Sequence, residues 1–143
     1  MRSLSNNRGF TLIELVIIIV ILGVLAAVAI PKYQSLSVEA KEAAARASLG
    51  GIRSGITIYY ANTAVKTGTA TWPPADSLRT AGVVMEQSIP ENPYCTVYPD
   101  SIQQVGAAVA RGTLRNGSRP GWCYKPTTGE IWLNTNTVGE NSW

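Results

Sequence analysis

The sequence contains no histidine, two cysteines, one phenylalanine and only 15% charged residues in 143. Without imidazole there is no Ser-His pair, no His-metal triad and no side chain that titrates unaided near neutral pH. Carboxylates do not replace it, because Asp76, Glu86, Glu91, Asp100 and Glu130 are scattered and form no paired acid–base spacing. Cys95 and Cys123 cannot complete a zinc site without histidine, and their separation is not that of a C-x-x-C redox pair. Internal repeats and low-complexity tracts are missing too. These absences point away from an enzyme and toward a protein whose work is done by its surfaces. The formal charge of +3 leans on Arg2 and Arg8; without those two it falls to +1, so composition makes no case for nucleic acid.

What the chain does have is one long apolar run. Phe10 to Ile30 is 21 residues in which only Thr11 and Glu14 are polar. At ~1.5 Å per residue, a helix of that length matches the ~30 Å hydrocarbon layer of a bilayer. Arg2 and Arg8 precede it with no acidic neighbour, which places the amino end in the cytoplasm. Glu14 is the anomaly, since a carboxylate in such a run costs ~2.5–3.5 kcal/mol to insert and marks a functional position. No basic residue lies within helical reach of it after Arg8. A cut between Gly9 and Phe10 would supply a cation, the new α-amino group four residues upstream, from the same chain or a neighbour. Two other readings of the run are a secretory signal with an Ala27-Val28-Ala29 cleavage pattern and a plain anchor for an unrelated domain. Neither accounts for Gly9-Phe10 and Glu14 together.

Helical signal continues beyond the run. Pro31 is expected to bend the helix rather than end it, because Lys32 to Ala47 is rich in helix formers and Glu42–Arg46 is a favourable i,i+4 pair. Leu49, Ile52, Ile56 and Tyr59 recur at helical spacing and mark one buried face as far as Asn62. Gly50, Gly51 and Gly55 weaken this half, so packing must hold it. Thr63 to Thr71 reads as a loop, Trp72-Pro73-Pro74 as a stop, Ala75 to Ala81 as a short helix and Ser88 to Pro93 as irregular chain. Gln104 to Ala110 is a candidate strand. Gly121 to Tyr124 and Ile131 to Leu133, separated by Pro126-Thr127-Thr128-Gly129, read as a hairpin with Trp122 and Tyr124 on one face and Cys123 on the other. With the carboxyl half exported, Cys95 and Cys123 are expected to form a disulfide closing a 29-residue loop, a contribution of about 3–4 kcal/mol. Asn134 to Trp143 reads as a polar tail.

The string GFTLIEL, behind a short basic leader and ahead of Pro31, resembles the cleavage and methylation signal of type IV pilins and type II secretion pseudopilins. The resemblance is specific from Arg8 to about Tyr33. It implies that a membrane-embedded prepilin peptidase cuts after Gly9 and N-methylates Phe10, and that Glu14 pairs with a neighbouring subunit's amino terminus during assembly. It also implies an α+β fold, with a long amino-terminal helix, membrane-spanning in its first half, packed through its second half on a small antiparallel sheet. The expected divisions are a leader over 1–9, a transmembrane and assembly helix over 10–30, an amphipathic continuation over 31–62 and a globular domain over 63–143. Gly23 and Pro31 bracket a stretch where that helix is weak. The expected role is a structural subunit of a homo-oligomeric filament, embedded in inner-membrane lipid before assembly machinery extracts it to a surface pilus. A periplasmic pseudopilus is the alternative, and a tethered periplasmic binding domain that never polymerises is the reading from another class.

Other features carry less. Some pseudopilins bind calcium through oxygen ligands, and Glu130, Asn134, Asn136 and Glu140 are hard ligands without a recognisable loop pattern, so no metal or cofactor is assigned. Arg111, Arg115 and Arg119 could face a DNA backbone, but a solvated turn, or complementarity to Glu39 and Glu42 of a neighbour, is preferred. Tyr33, Tyr59, Tyr60, Trp72, Trp122, Tyr124 and Trp132 are expected at the helix–sheet seam. Asn116-Gly117-Ser118 fits an N-glycosylation pattern but reads first as a turn.

Overall fold

A computed structural model of the chain describes residues 9–115 and 120–143. It falls into two compact units, Met1–Glu39 and Ala40–Trp143. The first unit, over its described residues, is the amino-terminal part of helix α1, which runs from Leu12 to Thr67. Every side chain from Leu12 to Ile30 is exposed in the single chain. Valine and isoleucine are mediocre helix formers in water. In hydrocarbon, however, each backbone group must bond within its own segment, so such a run can cross only as a helix. Pro31 and Gly23 both lie inside α1, which passes through them without a break.

The second unit is built on the rest of α1. Ala45, Leu49, Ile52, Gly55 and Ile56 form its buried stripe, close to the face that the sequence marks, with Tyr59 only half-buried at its end. Gly55 is there for space: a Cβ at this position would lie 2.8 Å from the carbonyl oxygen of Val84. The helix continues past Asn62 to Thr67, through residues expected as loop. Nothing between them breaks a helix, and the hydroxyls of Thr63 and Thr67 donate back to the carbonyls of Tyr60 and Thr63. Gly68 then ends it with a left-handed φ of 76° and an N–H bonded to the Ala64 carbonyl.

A short helix α2 (Ala75–Arg79) follows the two prolines, and three strands complete the unit: β1 (Tyr98–Gln104), β2 (Pro120–Lys125) and β3 (Glu130–Leu133). Their order is β1-β2-β3. β2 and β3 form the expected hairpin, with Trp122 opposite Leu133 and Tyr124 opposite Ile131. The sheet is nevertheless mixed rather than antiparallel, because β1 pairs with β2 in parallel. The strand expected over Gln104 to Ala110 lies earlier in the chain: Ile102 provides the buried anchor that small, exposed Ala107 and Ala108 cannot. Arg79 donates to the Ile102 carbonyl of β1 at 2.8 Å. The Asn92 N–H donates at 2.8 Å to the Pro99 carbonyl, which lies against Gly121 of β2.

Trp122, Tyr124, Ile131 and Leu133 face the helix stripe, joined by Ile102, Leu78 and Ile89. Cys123 and Trp132 pack with Val105 on the opposite face. The polar tips of the large aromatics hold the loops that cross them. Trp122 Nε1 donates to the Pro90 carbonyl, Tyr124 Oη to that of Pro73, and Trp132 Nε1 to that of Thr113. Asn92 is fully buried, with its amide on the Gly121 carbonyl and the Thr135 hydroxyl and its oxygen on the Tyr94 N–H.

Two sequence expectations change here. Asn134 to Trp143 is no tail. Asn134 and Glu140 are fully buried, and Asn134 bonds both the N–H and the carbonyl of Arg115. The Trp143 ring packs against the core and lies under the Arg46 guanidinium. Cys95 and Cys123 are both buried, and the structure does not join them by a disulfide. Cys123 points to the outer sheet face, with Sγ 4.0 Å from the Thr113 carbonyl, whereas Cys95 sits in a turn closed by its own N–H on Asn92. Burial pushes the Cys123 thiol up to about 12.

Four outcomes are expected. Gly55→Ala should destabilise the detergent-solubilised chain by about 1–3 kcal/mol in urea unfolding, because the backbone of Val84 must move. Gly50→Ala, where a Cβ meets nothing, should stabilise it by up to about 1 kcal/mol. For Glu140, burial opposes the charge, but the N–H groups of Thr137 and Val138 more than offset it and hold its pKa below the ordinary value. Its stabilising effect is therefore present at neutral pH and lost as pH falls through the depressed folded value. Glu140→Gln should cost on the order of 1.5–3 kcal/mol at pH 7 and flatten the acid limb of the stability profile. Iodoacetamide at pH 8 should spare Cys123 in the native chain and label it on unfolding without reductant; labelling only after reduction would instead establish a bridge to Cys95.

Candidate functional site

The chemistry that the sequence singles out lies at the start of α1. Gly9, Phe10 and Thr11 are non-helical and exposed, with Phe10 83% accessible. The Gly9–Phe10 bond is thus open chain two residues ahead of the first helical residue. Thr11 caps the helix. Its N–H and its hydroxyl both donate to Glu14 Oε2, at 2.8 and 2.9 Å, and the Glu14 N–H donates to Thr11 Oγ1 at 3.2 Å. The first helical bond, Leu15 N–H to the Thr11 carbonyl, follows at 3.3 Å.

This is a capping box, in which side chain and backbone at each end of the first turn satisfy one another. Glu14 therefore has a local partner in Thr11. The sequence carries the signal: Thr11-Leu12-Ile13-Glu14 is the T-x-x-E pattern before an apolar run, although attention to a missing cation passes over it. Both donors are neutral, and among the described residues Glu14 forms no ion pair. Leu12, Ile13, Leu15 and Val16 around it are exposed, an apolar surface that the single chain leaves uncovered.

The remaining candidates do not assemble into a second site. Glu130 accepts from Thr128 and lies 3.7 Å from Lys125 Nζ, Asn134 bonds the Arg115 backbone, and Glu140 caps its own turn. Each thus has an oxygen engaged within the fold. Among the described residues, no three acidic, histidine or cysteine side chains converge. Arg111 turns onto the Trp143 backbone oxygen, which it shares with Arg53. Arg115 contributes its backbone to Asn134, while Arg119, Asn116-Gly117-Ser118 and the leader through Arg8 lie outside the described residues. Glu42 pairs with Arg46 on its own helix, and Glu39 is exposed. Of the aromatics expected at the seam, Trp122 and Tyr124 are core and Tyr60 stacks on Trp72 at 4.0 Å. Trp132 is buried on the other sheet face, and Tyr33 is 78% exposed in the amino-terminal unit.

The family described as the prokaryotic N-terminal methylation motif matches residues 4–30, which include the capping box and the Gly9–Phe10 bond. Similar curated proteins are pilus subunits. The type IV major pilin PilE of Neisseria gonorrhoeae is 42% identical over 83 residues, covering 58% of this chain and 45% of that one. A fimbrial protein of Neisseria meningitidis serogroup B is 48% identical over 56 residues, 39% of this chain and 33% of that one. The type IV narrow pilus major component PilA5 of Thermus thermophilus is 45% identical over 51 residues, 36% of this chain and 44% of that one. The matched stretch spans less than half the length of each of these relatives. No solved structure matches. The chain thus carries the prokaryotic N-terminal methylation motif at its amino end and is similar, over part of its length, to type IV pilins.

Proposed function

We propose that this chain is the precursor of a structural subunit of a type IV pilus-like filament. The observation that carries the reading is a lone carboxylate, Glu14, set in an exposed apolar helix four residues after an accessible Gly9–Phe10 bond. A prepilin peptidase removes residues 1–9 and methylates Phe10. Phe10 to Ile30 holds the precursor in the inner membrane with its leader cytoplasmic, and assembly machinery draws the mature subunit into a helical polymer. Apolar faces such as Val16, Ile19 and Val20 then leave lipid for the same faces of neighbours, so extraction need not expose them to water. Glu14 acts as the register pin: an axial offset that separates it from a neighbour's ammonium leaves two charges uncompensated in an apolar medium.

The methylation motif alone also suits a pseudopilin that pushes cargo from the periplasm. The names of the curated relatives, type IV pilins and fimbrial proteins, favour the pilus. Immunogold labelling of sheared surface filaments is expected to decorate fibres that vanish on deletion of the gene. Unlabelled fibres that persist, in a deletion strain that retains its normally secreted enzymes, would turn the assignment to a pseudopilus. In the same assay Glu14→Val should leave the precursor cleaved and cut fibre yield by at least tenfold; a normal yield would remove Glu14 from assembly.

A further inference from the structure

We propose that Thr11 is a positioning residue for the assembly carboxylate, dividing the two oxygens of Glu14 between the helix cap and the partner. The inference rests on the filament reading above. Two of the three bonds of the cap, from the N–H and the hydroxyl of Thr11, end on one carboxylate oxygen, Oε2, and the third runs from the Glu14 N–H to Thr11 Oγ1. No hydrogen bond occupies Oε1 among the described residues. A carboxylate accepting two bonds on one oxygen has its side-chain torsions fixed, so the direction of Oε1 is fixed as well.

Every donor of the cap lies on the carboxyl side of the Gly9–Phe10 bond. The Thr11 N–H belongs to the Phe10–Thr11 peptide, so cleavage does not remove it. The mature subunit therefore keeps its oriented carboxylate while gaining an ammonium at Phe10. An incoming ammonium then meets an acceptor already held in place rather than a freely rotating side chain, which lowers the ordering cost of each subunit addition. Before assembly the same bonds give the carboxylate two donors in the apolar run, where among the described residues no basic side chain pairs with it.

The test is made in cells on the full-length chain, reading the precursor-to-mature ratio on gels and the yield of sheared filaments. Thr11→Val keeps the shape of the side chain and loses the hydroxyl; it is expected to leave cleavage unchanged and lower filament yield about tenfold, the scale of a lost cap. Thr11→Ser restores the hydroxyl and should return the yield to within about twofold of wild type. Wild-type yield from Thr11→Val, a Thr11→Ser variant as defective as Thr11→Val, or accumulation of uncleaved Thr11→Val precursor would each overturn the proposal. A wild-type chain that never exposes Phe10 as its amino terminus or never enters filaments would instead refute the filament reading, whatever the Thr11 variants do.

Discussion

Twenty-one consecutive residues with two polar side chains are a poor match for water, and their side chains from Leu12 to Ile30 are exposed. Burying each leucine, isoleucine or valine is worth about 1.5–3 kcal/mol, so the run outweighs any single contact elsewhere in the molecule. In the proposed function its surroundings are lipid and then other copies of itself. In either medium the backbone has to be helical and the lone carboxylate has to be answered. The capping box meets the second demand at the lowest level of structure, within one helical turn, before any neighbour arrives.

The folded unit solves a different problem with different means. Its core is small: one stripe of α1, one face of a three-stranded sheet and a few loop residues. Long connections without regular structure would ordinarily leave many buried backbone groups without partners. Here the tips of Trp122, Tyr124 and Trp132 and the amide of Asn134 reach the carbonyls of those connections, and the amide of Asn92, itself within one of them, reaches the Gly121 carbonyl of β2. The same side chains thus fill the core and fasten its lid. Gly55 completes the arrangement by letting the chain at Val84 approach α1 to backbone distance.

Sequence periodicity revealed what is local and repetitive. The apolar run, the stripe at Leu49, Ile52 and Ile56 and the hairpin around Pro126 to Gly129 each announce themselves over a few residues. What stayed hidden depends on partners far away in the chain. The parallel pairing of β1 rests on contacts some twenty residues apart, and Ile102 alone gives no hint of them. The carboxyl-terminal stretch looks like a tail because its buried members, Asn134, Thr135 and Glu140, are polar, and only the fold shows their bonding partners. The helix past Asn62 was lost to a habit of reading threonine as loop, whereas Thr63 and Thr67 bond back into their own helix. At the candidate site, Gly9, Phe10 and Glu14 stand out from the string, and the T-x-x-E pattern is legible there too; that both Thr11 donors meet the same carboxylate oxygen needed atomic positions.

The edge of β1 bears on how copies of this chain meet one another. Strand edges are templates, and any copy with a bare one can recruit another into an open-ended ladder. Arg79 holds the outward Ile102 carbonyl of β1, and Pro99 has no N–H to offer. An edge interrupted in this way is a poorer seed for amyloid-like stacking than a bare one. In the proposed polymer, growth of helix against helix then meets less competition from strand pairing, and the globular units are left as passengers whose surfaces can vary without altering how the fibre is built.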